Sequence, residues 1–253
     1  MNDIHPSAII ESGAEIGANT TVGPFSIVYS NANIGADSSI GAYCEIGLPT
    51  PLANSSDLLI GPNSIIRSRT TLYQGSSFSG LRTGHGVTIR ENVVAGKDLQ
   101  VGTLSDLQGD SKFGDYVRLH SNVHIGKLSV IGNYVWIFPY VVMTNDPTPP
   151  SDEHLGASIC DFAIVATMSV LLPGVKVGRH ALVGAHSCVT KDVPEGMCVA
   201  GVPARVVAAC TEIKLRSSGQ SAYPWPTRFS RGYPDEVVAA FRGLVEEDAF
   251  GDV

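Results

Sequence analysis

Aliphatic residues recur at every sixth position along the beginning of the chain. The series is Ile4, Ile10, Ile16, Val22, Val28, Ile34, Ile40 and Ile46. Small residues such as Ala8 and Ser26 stand two positions before most of these, and glycine often follows them. A period of six matches neither the period of about 3.6 residues of a helix nor the alternation of a long strand. The pattern therefore predicts short strands separated by tight turns.

The same spacing returns twice further along the chain. One series runs through Ile60, Ile66, Leu72 and Phe78 and, after a slip of one residue, from Ile89 to Ile137; the other runs from Ile159 to Val189. A hexapeptide cannot bury its aliphatic side chain alone, but stacked coils make a continuous core. We therefore predict an all-β fold, a left-handed parallel β-helix in which three hexapeptides close one coil. Residues eighteen apart should then stack one strand spacing apart, roughly 4.8 Å.

Two interruptions and a tail complete the expected organisation. Segments 48–59 and 142–158 break the repeat, and prolines stiffen the second as an extruded loop. Loops that leave a rigid scaffold often carry binding residues. We predict a β-helix domain over residues 1–207 and a tail over 208–253. Apolar residues at helical spacing predict a short α-helix near 234–247, which we expect to cap an open end of the solenoid.

Composition argues against several classes of function. The chain has 16% charged residues, a net charge of −7 and no basic block, so nucleic acid is not an expected partner. No apolar run approaches the roughly eighteen residues of a membrane span, and residues 1–6 do not resemble a secretory leader, so we expect a cytoplasmic protein. The five cysteines show no paired CxxC spacing, which argues against a disulfide framework or a thiolate zinc site.

Residues 171–207 closely resemble the C-terminal coils of hexapeptide-repeat acyltransferases, with the sequence LLPGVKVGRHALVGAHSCVTKDVPEGMCVAGVPARVV. The resemblance implies a homotrimer with active sites between subunits and an acyl-coenzyme A co-substrate, by default acetyl-coenzyme A. The cofactor-binding residues that it implies are Gly184 and Ala185 at the pantetheine arm, Lys191 and Arg205 at the phosphates, and Pro203 of the GVPA run at the adenine. Cations suit phosphates, which supports the second pair.

The middle of the chain resembles a narrower subgroup of these enzymes. The runs TGHGVTIRENVVAG (83–96), RLHSNVHIG (118–126) and VWIFPYVVMTNDPTPPS (135–151) are similar to those of enzymes that acylate amino groups on nucleotide-linked sugars. The resemblance covers roughly residues 60–207. It implies N-acyl transfer to a nucleotide-linked amino-deoxy sugar, a step in the synthesis of cell-surface polysaccharide or glycan precursors.

The extruded loop departs from the sugar O-acetyltransferases of the same fold. Those enzymes carry a histidine there as the general base for a hydroxyl, whereas residues 144–147 read Thr-Asn-Asp-Pro. A sugar amine that titrates at about 8, like an α-amino group, is about one-tenth neutral at pH 7, a deficit of about 1.4 kcal/mol. An amine acceptor therefore needs positioning more than proton abstraction.

Four residues are candidates for the chemistry. His124 lies eighteen positions after Asp106, so the two should stack on one face, with the carboxylate orienting the ring; a purely structural ladder is the alternative. His120 occupies a corner position that is often glycine, as at Gly102, and we rank it slightly above His124 as the residue facing a subunit interface. Glu91 is a further candidate base. We expect it on an exposed strand, where a carboxylate that is simply solvated is an equally good interpretation.

The candidate substrate-binding residues are His85, Arg90, Arg118, Asn122, Asn145 and Asp146. The two arginines would meet a diphosphate bidentately, and the amide and carboxylate groups would suit sugar hydroxyls. Trp136 and Tyr140 flank the extruded loop and would stack on a nucleotide base, unless they pack in the core or at a trimer contact. Solvated charges and turn-forming asparagines are the alternatives.

Three other functions stay open. An O-acetyltransferase of a sugar or small alcohol would share the cofactor. A γ-class carbonic anhydrase shares the fold and binds zinc through three histidines. Here His85, His120 and His124 are separated by thirty-five and four residues rather than by multiples of eighteen, so we expect no metal. A non-catalytic trimeric β-helix module would not bind coenzyme A.

Overall fold

The chain winds through three sheets, here called A, B and C, in constant rotation. The structure is a computed structural model that describes residues 1–250, with side chains through residue 245. Paired residues such as Ile4 and Val22 in sheet A, or Ile10 and Val28 in sheet B, run parallel and are eighteen apart. The predicted left-handed parallel β-helix with three hexapeptides per coil is confirmed.

The strands are short and numbered in chain order. They are β1 (Asp3–Ile4), β2 (Ile9–Ile10), β3 (Glu15–Ile16), β4 (Thr21–Val22), β5 (Ile27–Val28), β6 (Ala32–Ile34), β7 (Ser39–Ile40), β8 (Glu45–Leu48), β9 (Leu58–Ile60), β10 (Ile65–Ile66), β11 (Thr71–Tyr73), β12 (Ser77–Phe78), β13 (Leu81–Thr83), β14 (Thr88–Ile89), β15 (Val94–Ala95), β16 (Leu99–Val101), β17 (Asp106–Leu107), β18 (Lys112–Phe113), β19 (Arg118–Leu119), β20 (His124–Ile125), β21 (Val130–Ile131), β22 (Trp136–Ile137), β23 (Val142–Met143), β24 (Ser158–Ile159), β25 (Ile164–Val165), β26 (Val170–Leu171), β27 (Lys176–Val177), β28 (Leu182–Val183), β29 (Cys188–Val189), β30 (Met197–Ala200) and β31 (Arg205–Ala209).

Every third strand belongs to the same sheet until the last coil. Sheet A begins with β1 and β4 and ends with β28, β30 and β31; sheet B runs from β2 to β29, and sheet C from β3 to β27. Two 3₁₀ turns, Cys210–Glu212 and Trp225–Thr227, and the helix α1, Asp235–Phe250, follow the solenoid. The three edges where the chain turns from one sheet to the next are called corners A–B, B–C and C–A below.

The repeated aliphatic residues fill the interior. Between residues 22 and 199 the side chains of the solenoid core are at most 5% exposed. The small polar residues of the repeat are buried as well, and their hydroxyls donate to corner carbonyls: Ser105 to His120 at 3.1 Å, and Ser169 to Gly184 at 2.9 Å. Buried polar groups require such partners. The small position of the repeat therefore contributes both a compact shape and a hydrogen bond.

Glycines at the corners let neighbouring coils touch. A Cβ on Gly102 would lie 2.3 Å from the carbonyl carbon of His120, and one on Gly17 would lie 2.4 Å from the backbone nitrogen of Ala36. The positive-φ residues of the turns stand elsewhere, as at Tyr116 with a φ of 58°. At Gly17 and Gly102, glycine after the aliphatic residue is therefore explained by the approach of the next coil and not by its own backbone angle.

Both interruptions of the repeat leave the solenoid at corner B–C. Across the first, Asn33 pairs with Leu59, 26 residues on; across the second, Val130 pairs with Ser158, 28 residues on. The aliphatic residues that follow return to the core, so the register is restored after each insertion. The inserted residues project from one edge of the triangle, and both loops are therefore on the same side of the molecule.

An aromatic ladder runs along corner C–A. The rings of Tyr116, Tyr134, Phe162 and His180 stack in order, with successive centroids 5.4, 5.1 and 4.9 Å apart. The tail folds back onto this ladder, where the indole Nε1 of Trp225 donates to the carbonyl of Phe162 at 3.0 Å. Aromatic pairs in this distance range stabilise packing beyond the area that they bury. The ladder thus provides the apolar surface on which the tail folds.

Helix α1 packs on the same ladder. The ring of Phe241 is fully buried and lies 5.6 Å from that of Tyr134. The expectation that this helix caps an open end of the solenoid is wrong. The apolar face of α1 packs instead on the aromatic ladder, along corner C–A. The last solenoid strand, β30, is covered instead by β31, which pairs with it in the antiparallel direction.

The division of the chain at residue 207 stays a prediction. The last part of the predicted tail, residues 251–253, lies outside the described residues. Within residues 1–250, no helix has the length and apolar character needed to cross a membrane.

Replacing Ile125 by alanine should cost about 2–5 kcal/mol of unfolding free energy, because the side chain is fully buried among neighbouring coils. Val130→Ala is the matched control from the same coil, since Val130 is 48% exposed. Urea denaturation followed by circular dichroism measures both midpoints. Equal midpoints for the two variants would contradict the assignment of Ile125 to the core.

Candidate active site

A cavity of about 580 Å³ lies against sheet A, between the solenoid and the tail. Successive strands of sheet A supply its floor, corner A–B supplies one wall, and the tail supplies the other. The lining residues that point to chemistry are Arg67, Arg82, Gln100, Thr103, Arg118, His120, Trp136 and Arg231. The remaining lining residues are small, apolar or neutral, and none of the described lining residues is Asp or Glu.

The cavity concentrates positive charge. Four of the chain's eleven arginines line it, although the net charge of the whole chain is −7. Arg82 is held at the rim by an ion pair with Asp98, with 2.8 Å between its Nε and the carboxylate. Among the described residues, Arg67 and Arg231 make no ion pair. A cavity with this lining favours an anionic ligand with several oxygen acceptors.

Arg118 joins the solenoid to the tail. Its guanidinium donates to the backbone carbonyls of Arg231, at 3.2 Å, and of Gly232. The group also lies 3.8 Å from the ring centroid of Tyr233 and 4.8 Å from that of Trp136, within the range of cation–π attraction. Burial lowers the pKa of this guanidinium from its ordinary value. The two terminal nitrogens that a bidentate diphosphate contact needs are therefore already bonded to the tail.

His120 stands where the cavity meets corner A–B. The glycine below it, Gly102, allows the His120 backbone to approach, and the imidazole stacks on Phe138 with centroids 4.7 Å apart. Burial lowers the pKa of His120, and the nearby Arg118 cation lowers it further. The ring is therefore neutral at pH 7 and able to accept a proton.

His124 and Asp106 form the stacked pair that their spacing predicts. Strand pairing aligns the two residues in sheet B, and His124 Nδ1 lies 3.1 Å from the Asp106 carboxylate. Both side chains are partly exposed on the outer face of that sheet. The cavity, by contrast, lies on sheet A. Within one chain, the structure does not bring this pair to the cavity that His120 lines.

Glu91 is not on an exposed strand, and that expectation is wrong. The residue lies in the turn after β14 at corner B–C and is 2% exposed. Its carboxylate accepts from Arg90 Nε at 3.4 Å and packs against Gly109, where a Cβ would lie 2.8 Å from Glu91 Oε1. The turn is tight, and the neighbouring glycine leaves room for a carboxylate to fold inward. Arg90 is thereby engaged with Glu91 and lies over the ring of Tyr73.

Asp146 forms hydrogen bonds within the extruded loop. Asp146 accepts from the backbone nitrogens of Thr148 and Ser151 at 3.1 and 3.0 Å and from the Ser151 hydroxyl at 2.7 Å. The Ser151 hydroxyl is the main cause of the lowered pKa of Asp146. The Asn145 carbonyl accepts from the Leu155 backbone nitrogen at 2.8 Å. Asp146 therefore shapes the loop, and both residues lie on corner B–C, away from His120.

The remaining substrate-site candidates lie in turns of corner A–B. His85 is exposed, and its backbone nitrogen donates to the Thr103 hydroxyl at 3.3 Å. Asn122 has a φ of 59°, a left-handed conformation that asparagine tolerates better than most residues. The backbone conformation of the turn is therefore enough to explain an asparagine at position 122, without a bound substrate. Both residues flank the cavity wall formed by Thr103 and His120.

The predicted cofactor residues occupy the C-terminal coils. Gly184 and Ala185 lie on corner A–B, the corner that also carries His120, while Lys191 and Arg205 are exposed nearer the end of the solenoid. Pro203 lies in the exposed connection between β30 and β31. Within the described residues, no group of three or more His, Cys, Asp or Glu side chains is arranged to hold a metal ion.

Sequence reasoning missed three of the cavity arginines. Arg82, Gln100 and Arg118 occupy successive levels of sheet A, eighteen residues apart, so the spacing rule that found His124 and Asp106 also locates Arg82. Arg67 escapes the rule because a one-residue slip shifts the pairing between the strands around it, so that Ile65 aligns with Arg82. No local signal in the sequence places Arg231, since the tail reaches the cavity only through tertiary packing.

Comparison with known proteins gives a consistent picture. The family described as bacterial transferase hexapeptide (six repeats) matches residues 13–47. The chain is 31% identical over 166 residues to the bifunctional protein GlmU of Heliobacterium modesticaldum, covering 56% of this chain and 36% of that protein. It is 28% identical over 264 residues to an acyl-[acyl-carrier-protein]--UDP-N-acetylglucosamine O-acyltransferase of Pseudomonas putida, covering 96% and 82%. A 2,3,4,5-tetrahydropyridine-2,6-dicarboxylate N-acetyltransferase of Staphylococcus aureus is 34% identical over 93 residues, covering 37% and 33%.

The coils and their repeat define a hexapeptide β-helix protein. More narrowly, residues 13–47 match the bacterial transferase hexapeptide family, and the relatives named above are acyltransferases or include the same repeat, in line with the resemblance predicted from the sequence. The chain spans little more than a third of the GlmU protein and most of the Pseudomonas putida protein.

The imidazole of His120 should titrate below its ordinary value of 6.5, which nuclear magnetic resonance of the ring protons measures directly. Because the folded chain then binds fewer protons than the unfolded chain, His120 lowers stability as the pH falls below the ordinary value. The loss is complete below the folded-state pKa, and it is absent at neutral pH. His120→Asn should flatten this part of the pH–stability profile. A ring that titrates at or above its ordinary value would contradict the burial described here.

Proposed function

We propose that the protein is an acyl-coenzyme A-dependent N-acyltransferase, with acetyl as the group transferred. Its acceptor is the amino group of a nucleotide-linked amino-deoxy sugar, in a step of cell-surface polysaccharide or glycan precursor synthesis. One observation carries the proposal: His120 lies at the junction of an arginine-lined cavity and the corner that leads to Gly184. The relatives named above, an O-acyltransferase of UDP-N-acetylglucosamine and an N-acetyltransferase, support the general class.

Corner A–B offers a path for the pantetheine arm. His120, Phe138, Ala166 and Gly184 occupy successive levels of this corner, so three strand spacings, about 14 Å in all, separate His120 from Gly184. The last two have little or no side chain, which leaves backbone groups open to a ligand. Coenzyme A bound with its phosphates near Lys191 would direct its thioester along this corner toward His120.

Neutral His120 suits the proton transfer that amine acylation needs. The amine nitrogen attacks the thioester carbonyl, a carbon–nitrogen bond forms, the carbon–sulfur bond breaks, and coenzyme A leaves as its thiol. The nitrogen becomes strongly acidic once it bonds to carbon, so a weakly basic imidazole can accept its proton and return one to the sulfur. The stacking of His120 on Phe138 fixes the plane of the ring for this transfer.

A homotrimer is part of the proposal. Corner A–B carries four exposed large apolar side chains, Phe25, Tyr43, Leu104 and Tyr140, each between 53% and 63% exposed, and the rings of the first two stack on each other. A second copy of the chain packed against this corner would cover these side chains. The candidates on corner B–C, including Asn145, lie on a different edge of the solenoid. They join His120 at one site only if a second copy of the chain supplies them.

A second candidate function is O-acyl transfer to a sugar. The Pseudomonas putida O-acyltransferase favours it, because the similarity extends over 96% of this chain. The absence of a histidine from residues 144–147 of the extruded loop favours the amine. Matched acceptors that differ only in an amino or a hydroxyl group distinguish the two functions.

Release of thiol from acetyl-coenzyme A tests the activity. A panel of uridine- and thymidine-diphosphate amino sugars should give turnover, and the corresponding hydroxyl sugars should not. His120→Ala should lower kcat by about a hundredfold, the lower range for loss of a general base. His5→Ala, a change of an exposed histidine in the first coil, is the control. Full turnover by both His120→Ala and His124→Ala would mean that neither residue is a required base, and turnover with hydroxyl sugars alone would establish the second candidate.

Thermal unfolding with acetyl-coenzyme A tests the groove. At one hundred times its dissociation constant, a ligand adds about 2.7 kcal/mol to stability, which raises Tm measurably. Ala166→Leu should abolish this rise by filling the groove, whereas Gln108→Leu, at the equivalent position of corner B–C, should retain it. A rise that survives Ala166→Leu would place the cofactor elsewhere, and no rise with the unchanged chain would favour a non-catalytic module.

A further inference from the structure

We propose that the arginine cavity binds the diphosphate of a nucleotide ligand and that the C-terminal tail completes the site with Arg231. The inference rests on the proposed function for the identity of the ligand as the acceptor substrate. It adds the position of the diphosphate, the residues that bind it, and a binding role for the tail.

The charge of the cavity identifies the ligand chemistry. Arg67, Arg82 and Arg231 are exposed at its walls, and no carboxylate is among the described lining residues. Like charges held together cost free energy unless an anion neutralises them. A diphosphate carries two or more negative charges and enough oxygens for several guanidinium forks. Gln100 and Thr103 add neutral donors beside the arginines.

The tail is held in a fixed position over this charge. The Arg231 carbonyl accepts from Arg118 at 3.2 Å, so the backbone that carries the Arg231 side chain is anchored to sheet A. Gly232 has a φ of 82°, and a Cβ there would lie 3.1 Å from Arg118 Nη1. A side chain at this position would be strained by the backbone angle and would press on the Arg118 guanidinium, so the contact favours glycine. Arg118 is accordingly a positioning residue, which acts on the ligand through Arg231.

The location favours the acceptor over coenzyme A as the source of the diphosphate. The cavity spans the sheet A levels from Ile65 to Trp136. The residues proposed for the coenzyme A phosphates, Lys191 and Arg205, lie on the C-terminal coils beyond His120. A nucleotide in the cavity and coenzyme A on corner A–B thus approach His120 from opposite directions. Both molecules contain a diphosphate, so the binding experiment must include each.

Isothermal titration of the full chain with uridine diphosphate, thymidine diphosphate, inorganic pyrophosphate, uridine and coenzyme A tests the proposal. Both nucleoside diphosphates and pyrophosphate should bind, uridine should bind much more weakly, and added salt should weaken binding. Coenzyme A should bind without displacing uridine diphosphate. Displacement would instead show that the cavity takes the cofactor's diphosphate.

Variants separate the charge from the tail contact. Arg67→Gln and Arg231→Gln should each weaken uridine diphosphate binding about tenfold or more, since each removes a charge-assisted hydrogen bond. Gly232→Ala keeps all four guanidiniums but should weaken binding similarly and make the tail more susceptible to limited proteolysis. Arg242→Gln, an equal change of charge on an exposed face of α1, should bind as the unchanged chain does.

Two results would overturn the proposal. One is undetectable binding of both pyrophosphate and the nucleoside diphosphates at millimolar concentration; the other is normal binding by Arg67→Gln and Arg231→Gln. Acyl transfer to an amino sugar without diphosphate binding would refute this site and keep the proposed function. Diphosphate binding without acyl transfer would support this site and refute the proposed function.

Discussion

The backbone contact between successive coils is the constraint on which the rest of the structure depends. Each coil rests on the next at a spacing of about 4.8 Å, and glycines such as Gly102 permit that approach at the corners. A residue type that recurs every eighteen positions therefore forms a continuous stack of side chains. Asn133 and Asp161 show this in polar form, with hydrogen bonds of 2.7 and 3.3 Å across the second interruption. The solenoid thus converts sequence spacing into distances between side chains.

This conversion explains which features the sequence could predict. The repeat determines the sheets, the buried positions and the pairing of Asp106 with His124, because all of these follow from register within adjacent coils. The same rule reaches Arg82 beneath Arg118 in sheet A. The corner position of His120 was also predictable, since a bulky residue replaces glycine where the next coil approaches. Sequence spacing is sufficient to predict a contact wherever both of the contacting residues belong to the repeat.

Features outside the repeat could not be predicted in this way. The inward turn of Glu91 depends on the space beside Gly109, which spacing alone does not reveal. The position of α1 depends on the aromatic ladder, and no single residue of that ladder indicates in the sequence that a helix packs on it. The contact of Trp225 with Phe162 joins residues 63 positions apart, and that of Arg118 with Arg231 joins residues 113 apart. Such contacts depend on complementary surfaces and not on a period.

The long separation between Arg118 and Arg231 also affects the order in which the molecule is built. Coils join neighbours eighteen residues apart, so the solenoid can form while the chain is still being synthesised, beginning at its first coils. The tail leaves the ribosome only after those coils are complete. Until then, Arg67, Arg82 and Arg118 are present without the Arg231 side of the cavity. The contact between Arg118 and Arg231, and with it the wall of the cavity that the tail supplies, can therefore form only after the coil that carries Arg118 has been synthesised.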